Sequence, residues 1–157
     1  MRIAVASDHA GFAHKFAILA HLALRGRATV DCGTASTASC DYPDFAAAAG
    51  QALRTGGADA AVLVCGTGIG ISIAANKIPG LRCALVHNLD TARLAREHND
   101  AQAIALGARV VDIPTALALV DCWLAARFNA RHQARLDKIH ALEAGSSCLP
   151  STARESR

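Results

Sequence analysis

The chain lacks most features of a secreted, membrane or nucleic-acid-binding protein. Aromatic residues make up only 4% of its 157 residues, and the formal net charge is +3. That charge is too small to indicate nucleic acid by itself. No apolar run is long enough to span a bilayer, and no charged region followed by a cleavable apolar segment suggests a signal peptide. We therefore expect a cytoplasmic protein with no membrane partner and no nucleic-acid partner.

The cysteines lack the spacing of a disulfide framework or a zinc site. The six occur at positions 32, 40, 65, 83, 122 and 148, with no Cys-x-x-Cys pair. Reduced thiols in a cytosolic chain are the simplest interpretation, so we expect no metal and no cofactor. A thiol redox function is disfavoured as well, because no second cysteine is placed to resolve a disulfide.

What the chain does contain is the composition of a soluble folded domain, with 52% hydrophobic and 18% charged residues. This length fits one domain with a real core, which we expect over residues 1–144. The Ser-rich segment at 145–157, which contains Pro150, is predicted to be a flexible tail.

Short apolar runs alternate with segments of helical spacing. Strands are predicted near residues 2–6, 28–31, 60–64, 82–86 and 102–106. Helices are expected near residues 12–24, 44–54, 71–77, 89–97, 113–126 and 130–143. In the first helix, the apolar residues at helical spacing are Phe12, Phe16, Leu19, Ala20 and Ala23. The alternation predicts an α/β fold, a three-layer αβα sandwich with a Rossmann-like five-stranded parallel sheet and an extra C-terminal helix.

In such sheets, ligands bind outside the carboxyl ends of the strands. The residues that this rule places on one rim are Asp8, His9, Cys65 to Gly70, His87 and Arg109.

The strongest local signal is the stretch from Val62 to Lys77. An apolar strand ends there at Cys65, and glycines follow at 66, 68 and 70. The spacing fits neither the dinucleotide fingerprint nor a P-loop. The glycines permit either a plain tight turn or a cradle in which backbone N–H groups and a helix N-terminus meet an anion. Cys65 is therefore either a small buried hydrophobic residue or a thiolate whose negative charge the same N–H groups and helix N-terminus would stabilise.

Three other groups of residues each permit two interpretations. Asp8 and His9 could bind sugar hydroxyls or a phosphate, or Asp8 or Ser7 could cap the next helix. His98 could transfer a proton near neutral pH or serve only as a helix cap or dipole partner. A basic stripe is either a solvated helix face or a phosphate-binding set, and it is too short for a nucleic-acid site: Arg127, Arg131, Arg135 and Lys138.

Six motifs, taken together and in this order, resemble those of the type B ribose-5-phosphate isomerases. This family also contains the lactose-pathway galactose-6-phosphate isomerases, and the likeness runs from Ile3 to about Leu142. The motifs are Ser7-Asp8-His9-Ala10-Gly11-Phe12, Asp41-Tyr42-Pro43, the stretch from Cys65 to Lys77, Arg96-Glu97-His98-Asn99-Asp100, Leu106-Gly107-Ala108-Arg109-Val110-Val111 and Arg131-His132-Gln133-Ala134-Arg135.

The resemblance implies a metal-free interconversion of ribose 5-phosphate and ribulose 5-phosphate through an enediolate, in the non-oxidative pentose phosphate pathway. It also implies a homodimer, or a dimer of dimers, with active sites between subunits. One branch of the family uses as base a glutamate just after the third loop glycine. Ile71 occupies that position here, so the chain resembles the cysteine branch.

The resemblance further implies a role for each matching residue. Cys65 would be the base that moves a proton between C2 and C1, and His98 would assist opening of the furanose ring. The remaining residues are enediolate donors (Thr67 and the backbone of Gly66, Gly68, Ile69 and Gly70), a phosphate clamp (His9, Arg109, Arg131 and Arg135) and residues near the sugar hydroxyls (Asp8, Asn99 and Tyr42).

Two alternative functions remain open. The same chemistry could act on a hexose 6-phosphate such as allose or galactose 6-phosphate. Galactose-6-phosphate isomerases are built from two different subunits with less complete motifs, so a full set in one chain favours ribose. From a different class, a non-catalytic phosphate- or nucleotide-binding module would use the glycine loop and the arginine stripe, with Cys65 merely packed.

Overall fold

The computed structural model describes residues 1–145, so the predicted tail lies, except for Gly145, outside the described residues. The described elements are β1 (Arg2–Ser7), α1 (Phe12–Leu24), β2 (Ala28–Asp31), α2 (Tyr42–Arg54), β3 (Ala60–Cys65), α3 (Ile69–Ala75), β4 (Cys83–Leu85), α4 (Leu89–Asn99), β5 (Ala103–Gly107), α5 (Ile113–Ala125), a 3-10 turn (Ala130–His132) and α6 (Gln133–Glu143). Within residues 1–145, no helix combines the length and apolarity needed to cross a bilayer.

The strands form one parallel sheet in the order β2-β1-β3-β5-β4. This confirms the predicted five-stranded parallel sheet and the C-terminal helix. The central strand β3 is buried along its whole length. Its last residue, Cys65, pairs with Gly107 at the end of β5, so the loops after these two strands are neighbours at the carboxyl edge of the sheet.

Helices cover both faces of the sheet, which confirms the three-layer architecture. On one face, Ile3 and Val5 pack with residues of α1, α4 and α5, such as Ile18 and Trp123. The other face is rich in alanine and packs against α2 and α3. Both layers follow from the alternation of side chains along each strand, which sends successive residues to opposite faces.

Helix α1 is present as predicted, but the residues that it buries are different. Phe16 is 51% exposed, whereas His14 and Lys15 are buried with Ile18 and Leu22. The reason is tertiary, because Lys15 Nζ donates to both carboxylate oxygens of Asp31, at 2.9 and 2.7 Å. A charged side chain can be buried when a partner of opposite charge satisfies it.

Helix α3 begins at Ile69, two residues earlier than predicted. Gly68 adopts a left-handed conformation with φ of 78°, and this turn lets the helix start directly after it. Ile69 and Gly70 therefore belong to the first turn of a helix rather than to the loop.

Candidate functional site

The loop after β3 wraps around the sulfur of Cys65. Cys65 is only 4% exposed, and the backbone N–H of Gly68 donates to its Sγ at 3.2 Å. A Cβ atom on Gly68 would lie 2.6 Å from Leu85 Cδ1 and 2.9 Å from the carbonyl carbon of Leu106. Its φ and this close approach both require glycine. Thr67 lies in the same turn, and its Oγ1 accepts from the N–H of Ile69 at 3.3 Å.

Two side chains from other elements flank the same loop. The N–H of Arg109 donates to the carbonyl of Gly66 at 2.9 Å, and a Cβ on Gly66 would lie 3.4 Å from the guanidinium carbon of Arg109. The ring of Tyr42 lies so close to Gly70 that a Cβ there would be 2.7 Å from the hydroxyl oxygen. Gly70 therefore lets the phenol of Tyr42 approach the backbone near Cys65, and the guanidinium of Arg109 lies within van der Waals reach of Gly66.

Asp8 and His9 follow β1 and lie at the same edge. The N–H of Asp8 donates to the carbonyl of Val64 at 3.3 Å, beside the end of β3. Asp8 Oδ1 accepts from the N–H groups of Ala10 and Gly11, at 2.9 and 3.1 Å. It thus stabilises the turn before α1. The N-cap of this helix is Gly11 and has no side-chain hydrogen bond, so the alternative in which Asp8 or Ser7 is the N-cap is not observed.

The His9 ring is held by the backbone of Cys40. Its Nδ1 lies 3.2 Å from both the nitrogen and the carbonyl oxygen of Cys40, and accepts or donates according to the tautomer. A ligand would therefore meet the Nε2 atom. We call Asp8, His9, Tyr42, the segment Cys65–Gly70 and Arg109 the carboxyl-edge cluster.

A second group of predicted residues gathers where α4 ends and α6 begins. The rings of His98 and His132 stack with centroids 4.1 Å apart. Arg131 Nε lies 3.0 Å from His132 Nε2, and an Nη of Arg135 lies 3.1 Å from His132 Nδ1. A neutral imidazole has one acceptor nitrogen, so it accepts from only one guanidinium at a time. We call this group, with Asn99, the amino-edge cluster.

The pKa of His132 is lowered from its ordinary value. Burial is the largest cause, and the nearby charges of His98, Arg131 and Arg135 lower it further. The ring is consequently held neutral between two guanidinium groups. Such a concentration of positive charge is suited to binding a phosphate.

The two clusters lie at opposite edges of the sheet. Helix α4 follows β4 and precedes β5, so it runs back from the carboxyl edge and its last turn, with His98 and Asn99, lies at the amino edge. Arg82, immediately before β4, donates to the carbonyl of Asn99, which confirms this placement. Strand β5 alone separates the two edges by about 13 Å.

The predicted site residues are therefore divided within one chain. His9 and Arg109 lie with Cys65, whereas Arg131 and Arg135 lie with His98, so the predicted phosphate clamp is split. No role was predicted for His132, although its place within the arginine motif was a usable signal. Cys40 contacts His9 mainly through its backbone, which leaves no mark in the sequence. Within residues 1–145, no three His, Cys, Asp or Glu side chains come together as ligands for a metal ion.

Comparisons with known proteins identify the family. The family model described as Ribose/Galactose Isomerase matches residues 3–139. Ribose-5-phosphate isomerase B of Escherichia coli (strain K12) is 44% identical over 143 residues, which cover 90% of this chain and 96% of that protein.

Solved structures give the same result. Ribose-5-phosphate isomerase B of Clostridium thermocellum superposes with a TM-score of 0.91 at 47% identity, over 94% of this chain and 100% of that chain. The enzyme of the same name from Mycoplasma genitalium, with bound ribulose-5-phosphate, superposes with a TM-score of 0.88 at 39% identity, over 92% and 97%. The chain belongs to the ribose/galactose isomerase family.

Proposed function

We propose that this protein is an aldose–ketose isomerase that interconverts ribose 5-phosphate and ribulose 5-phosphate, as a cytoplasmic enzyme with one domain over residues 1–144. The observation that carries the proposal is the surroundings of Cys65, a buried thiol at a strand end that accepts a backbone N–H and has Arg109 beside its loop. Ile71, where one branch of the family has a glutamate, is fully buried and apolar. It cannot accept a proton, which leaves Cys65 as the base in this loop.

In the proposed reaction, the Cys65 thiolate takes the proton from C2 of the open-chain aldose. The C2–H electrons form a C1–C2 double bond, and negative charge develops on O1 of the enediolate. The thiol then returns the proton to C1 while a proton passes from O2 to O1, so the C2 carbonyl of the ketose forms. Thr67 and the backbone N–H groups around Gly66 and Gly70 would stabilise the developing charge.

The other residues would open, orient and hold the sugar phosphate. His98 would transfer a proton to the ring oxygen as the furanose opens, because an imidazole can both donate and accept a proton. Asp8 and Asn99 would bind sugar hydroxyls, with Tyr42 lining the pocket. His9, Arg109, Arg131 and Arg135 would bind the phosphate, the arginines through paired N–H donors.

We further propose that each active site combines the carboxyl-edge cluster of one subunit with the amino-edge cluster of its partner. The separation of the two clusters within one chain supports this arrangement. So does an apolar surface beside the glycine loop, where Ile69 and Ile73 of α3 are each more than half exposed. A two-fold dimer pairs the same surfaces twice and would create two equal sites.

Replacement of Cys65 tests the proposed base. General base catalysis is worth about 10²–10⁴-fold, so kcat of Cys65→Ala should fall by at least about a hundredfold in a coupled assay on ribose 5-phosphate. Cys83→Ala is the matched control, because burial raises the pKa of the Cys83 thiol to about 12 and leaves it without a role as a base. Turnover of Cys65→Ala close to that of the control would reject the base assignment.

The same assay separates the alternative functions. A wild-type protein that prefers allose or galactose 6-phosphate would redirect the proposal to hexose substrates. A protein that binds phosphates but turns over none of these sugars would be the non-catalytic module.

A heterodimer of differently tagged Cys65→Ala and His98→Ala chains tests the shared site. Each homodimer should be nearly inactive. In the heterodimer, one site carries both changes and the other carries neither, so the activity per dimer should be about half that of the wild type. An inactive heterodimer would show that Cys65 and His98 of one chain serve the same site.

A further inference from the structure

Arg82 connects the two elements that carry the amino-edge cluster. It lies immediately before β4, and its side chain is only 13% exposed. Its Nε donates to the carbonyl of Asn99 at 2.9 Å, and one Nη donates to the carbonyl of Asp100 at 2.8 Å. The other Nη lies 2.9 Å from Nε2 of His140 on α6. One guanidinium thus joins the end of α4 to α6.

The chain turns sharply where Arg82 holds it. Asp100 has φ of 40°, and it is the one non-glycine residue with positive φ within residues 1–145. This left-handed conformation is disfavoured for a residue with a Cβ, so the surroundings must stabilise it. Asp100 Oδ2 accepts from Arg82 at 3.3 Å, and its Oδ1 accepts from Arg96 at 3.0 Å.

Arg96 is itself fixed by packing. Its guanidinium carbon lies 5.0 Å from the centre of the Trp123 ring, a fully buried side chain of α5. The turn directly after His98 and Asn99 is therefore held from two sides, by Arg96 through the carboxylate of Asp100 and by Arg82 through backbone carbonyls.

We propose that Arg82 is a positioning residue for the isomerase reaction. It acts through Asn99 and Asp100 on the placement of His98, and through His140 on the helix that carries Arg135. This inference rests on the proposed function, in which the amino-edge cluster completes the active site of the partner subunit. Arg82 itself touches no reacting atom. Only arginine suits the position, because its planar fork serves three separate partners and a lysine ammonium is a single point charge.

The test uses heterodimers of differently tagged chains, because they show which half of the site a variant damages. A misplacement of about 1 Å can cost about a hundredfold in rate, so the Arg82→Ala homodimer should lose at least tenfold in kcat/KM for ribose 5-phosphate. Paired with Cys65→Ala chains, Arg82→Ala chains should form one intact site and give about half the wild-type activity. Paired with His98→Ala chains, they should form no intact site, and the activity should not exceed that of the Arg82→Ala homodimer.

Arg93→Ala is the matched control. Arg93 is another arginine of the same region, on α4, and among residues 1–145 its ion pairs are those with Asp90 and Glu97 at the protein surface. Chains with this change should form an active site with either partner. Arg82→Lys should show the same pairing pattern as Arg82→Ala, which keeps the test valid if the alanine variant folds poorly.

The outcomes separate this inference from the function on which it rests. If the Cys65→Ala and His98→Ala chains fail to restore activity together, the shared site is wrong. If they do restore it, activity of Arg82→Ala chains with His98→Ala chains would overturn the role of Arg82. Loss of activity in both Arg82 pairings would overturn it as well, since the damage would then extend beyond the amino-edge cluster.

Discussion

The carboxyl-edge and amino-edge clusters are built in different ways. Around Cys65, the backbone supplies most contacts: Gly68 N–H donates to the sulfur, and the amides after Asp8 donate to its carboxylate. Around His98, long charged side chains from several elements supply them: Arg131 and Arg135 lie against the buried ring of His132, and Arg82 donates to the backbone carbonyl of Asn99.

The two clusters should therefore be sensitive to different changes. A backbone-built loop depends on φ values and close approaches, which one added methyl group can abolish. A cluster of arginines around a buried imidazole depends on the balance of charge and burial, so it responds to pH and to the loss of a single charge.

Gly68→Ala should have the largest effect, because it breaks the backbone-built cluster. Alanine at φ of 78° costs about 1–2 kcal/mol, and its Cβ would also overlap Leu85 and the backbone of Leu106. We expect the free energy of unfolding to fall by more than about 2 kcal/mol in urea titrations. We also expect most activity on ribose 5-phosphate to be lost, because a displaced turn would carry the N–H of residue 68 away from the Cys65 sulfur.

Gly56→Ala is the control for this prediction. Gly56 has φ of 72°, but a Cβ there would meet nothing within 4 Å. Gly56→Ala should lower the free energy of unfolding only by the strain of an alanine at positive φ, about 1–2 kcal/mol, and leave activity unchanged. Equal losses of stability and activity in both variants would show that close approach at Gly68 is unimportant.

A change of pH should affect stability less than Gly68→Ala does, and this pH dependence tests the amino-edge cluster. The pKa of His132 in the folded protein lies below the ordinary 6.5, because of burial first and then the neighbouring positive charges. As the pH falls below about 6.5, the unfolded chain gains this proton first. The contribution of His132 to stability is therefore full above that pH and is lost as the pH falls through its folded pKa.

An NMR titration of the histidine ring protons measures this directly. His132 should titrate below a free imidazole, and Arg135→Gln should move its pKa upward by removing one positive charge, while burial keeps it below the ordinary value. His132→Gln should reduce the acid-induced loss of stability. A His132 that titrates at or above 6.5 would contradict the charge arrangement described here.

Much of the fold could be predicted from local patterns. The parallel sheet followed from apolar runs separated by helical segments, and the carboxyl-edge grouping of Asp8, Cys65 and Arg109 followed from the rule that strand ends share an edge. The buried face of α1 could not be predicted, because Lys15 is buried only by virtue of Asp31, which the fold brings to it. The start of α3 was misplaced because the left-handed turn at Gly68 depends on neighbouring strands.

By itself, the sequence determined the alternation of strands and helices, the glycine loop after Cys65 and the resemblance to this isomerase family, because each depends on residues close together along the chain. Only the tertiary structure decided that the predicted site residues form two clusters at opposite edges of the sheet. The physical reason is directional: a helix that follows a parallel strand must run back across the sheet, so His98 at the end of α4 lies at the edge opposite to Cys65.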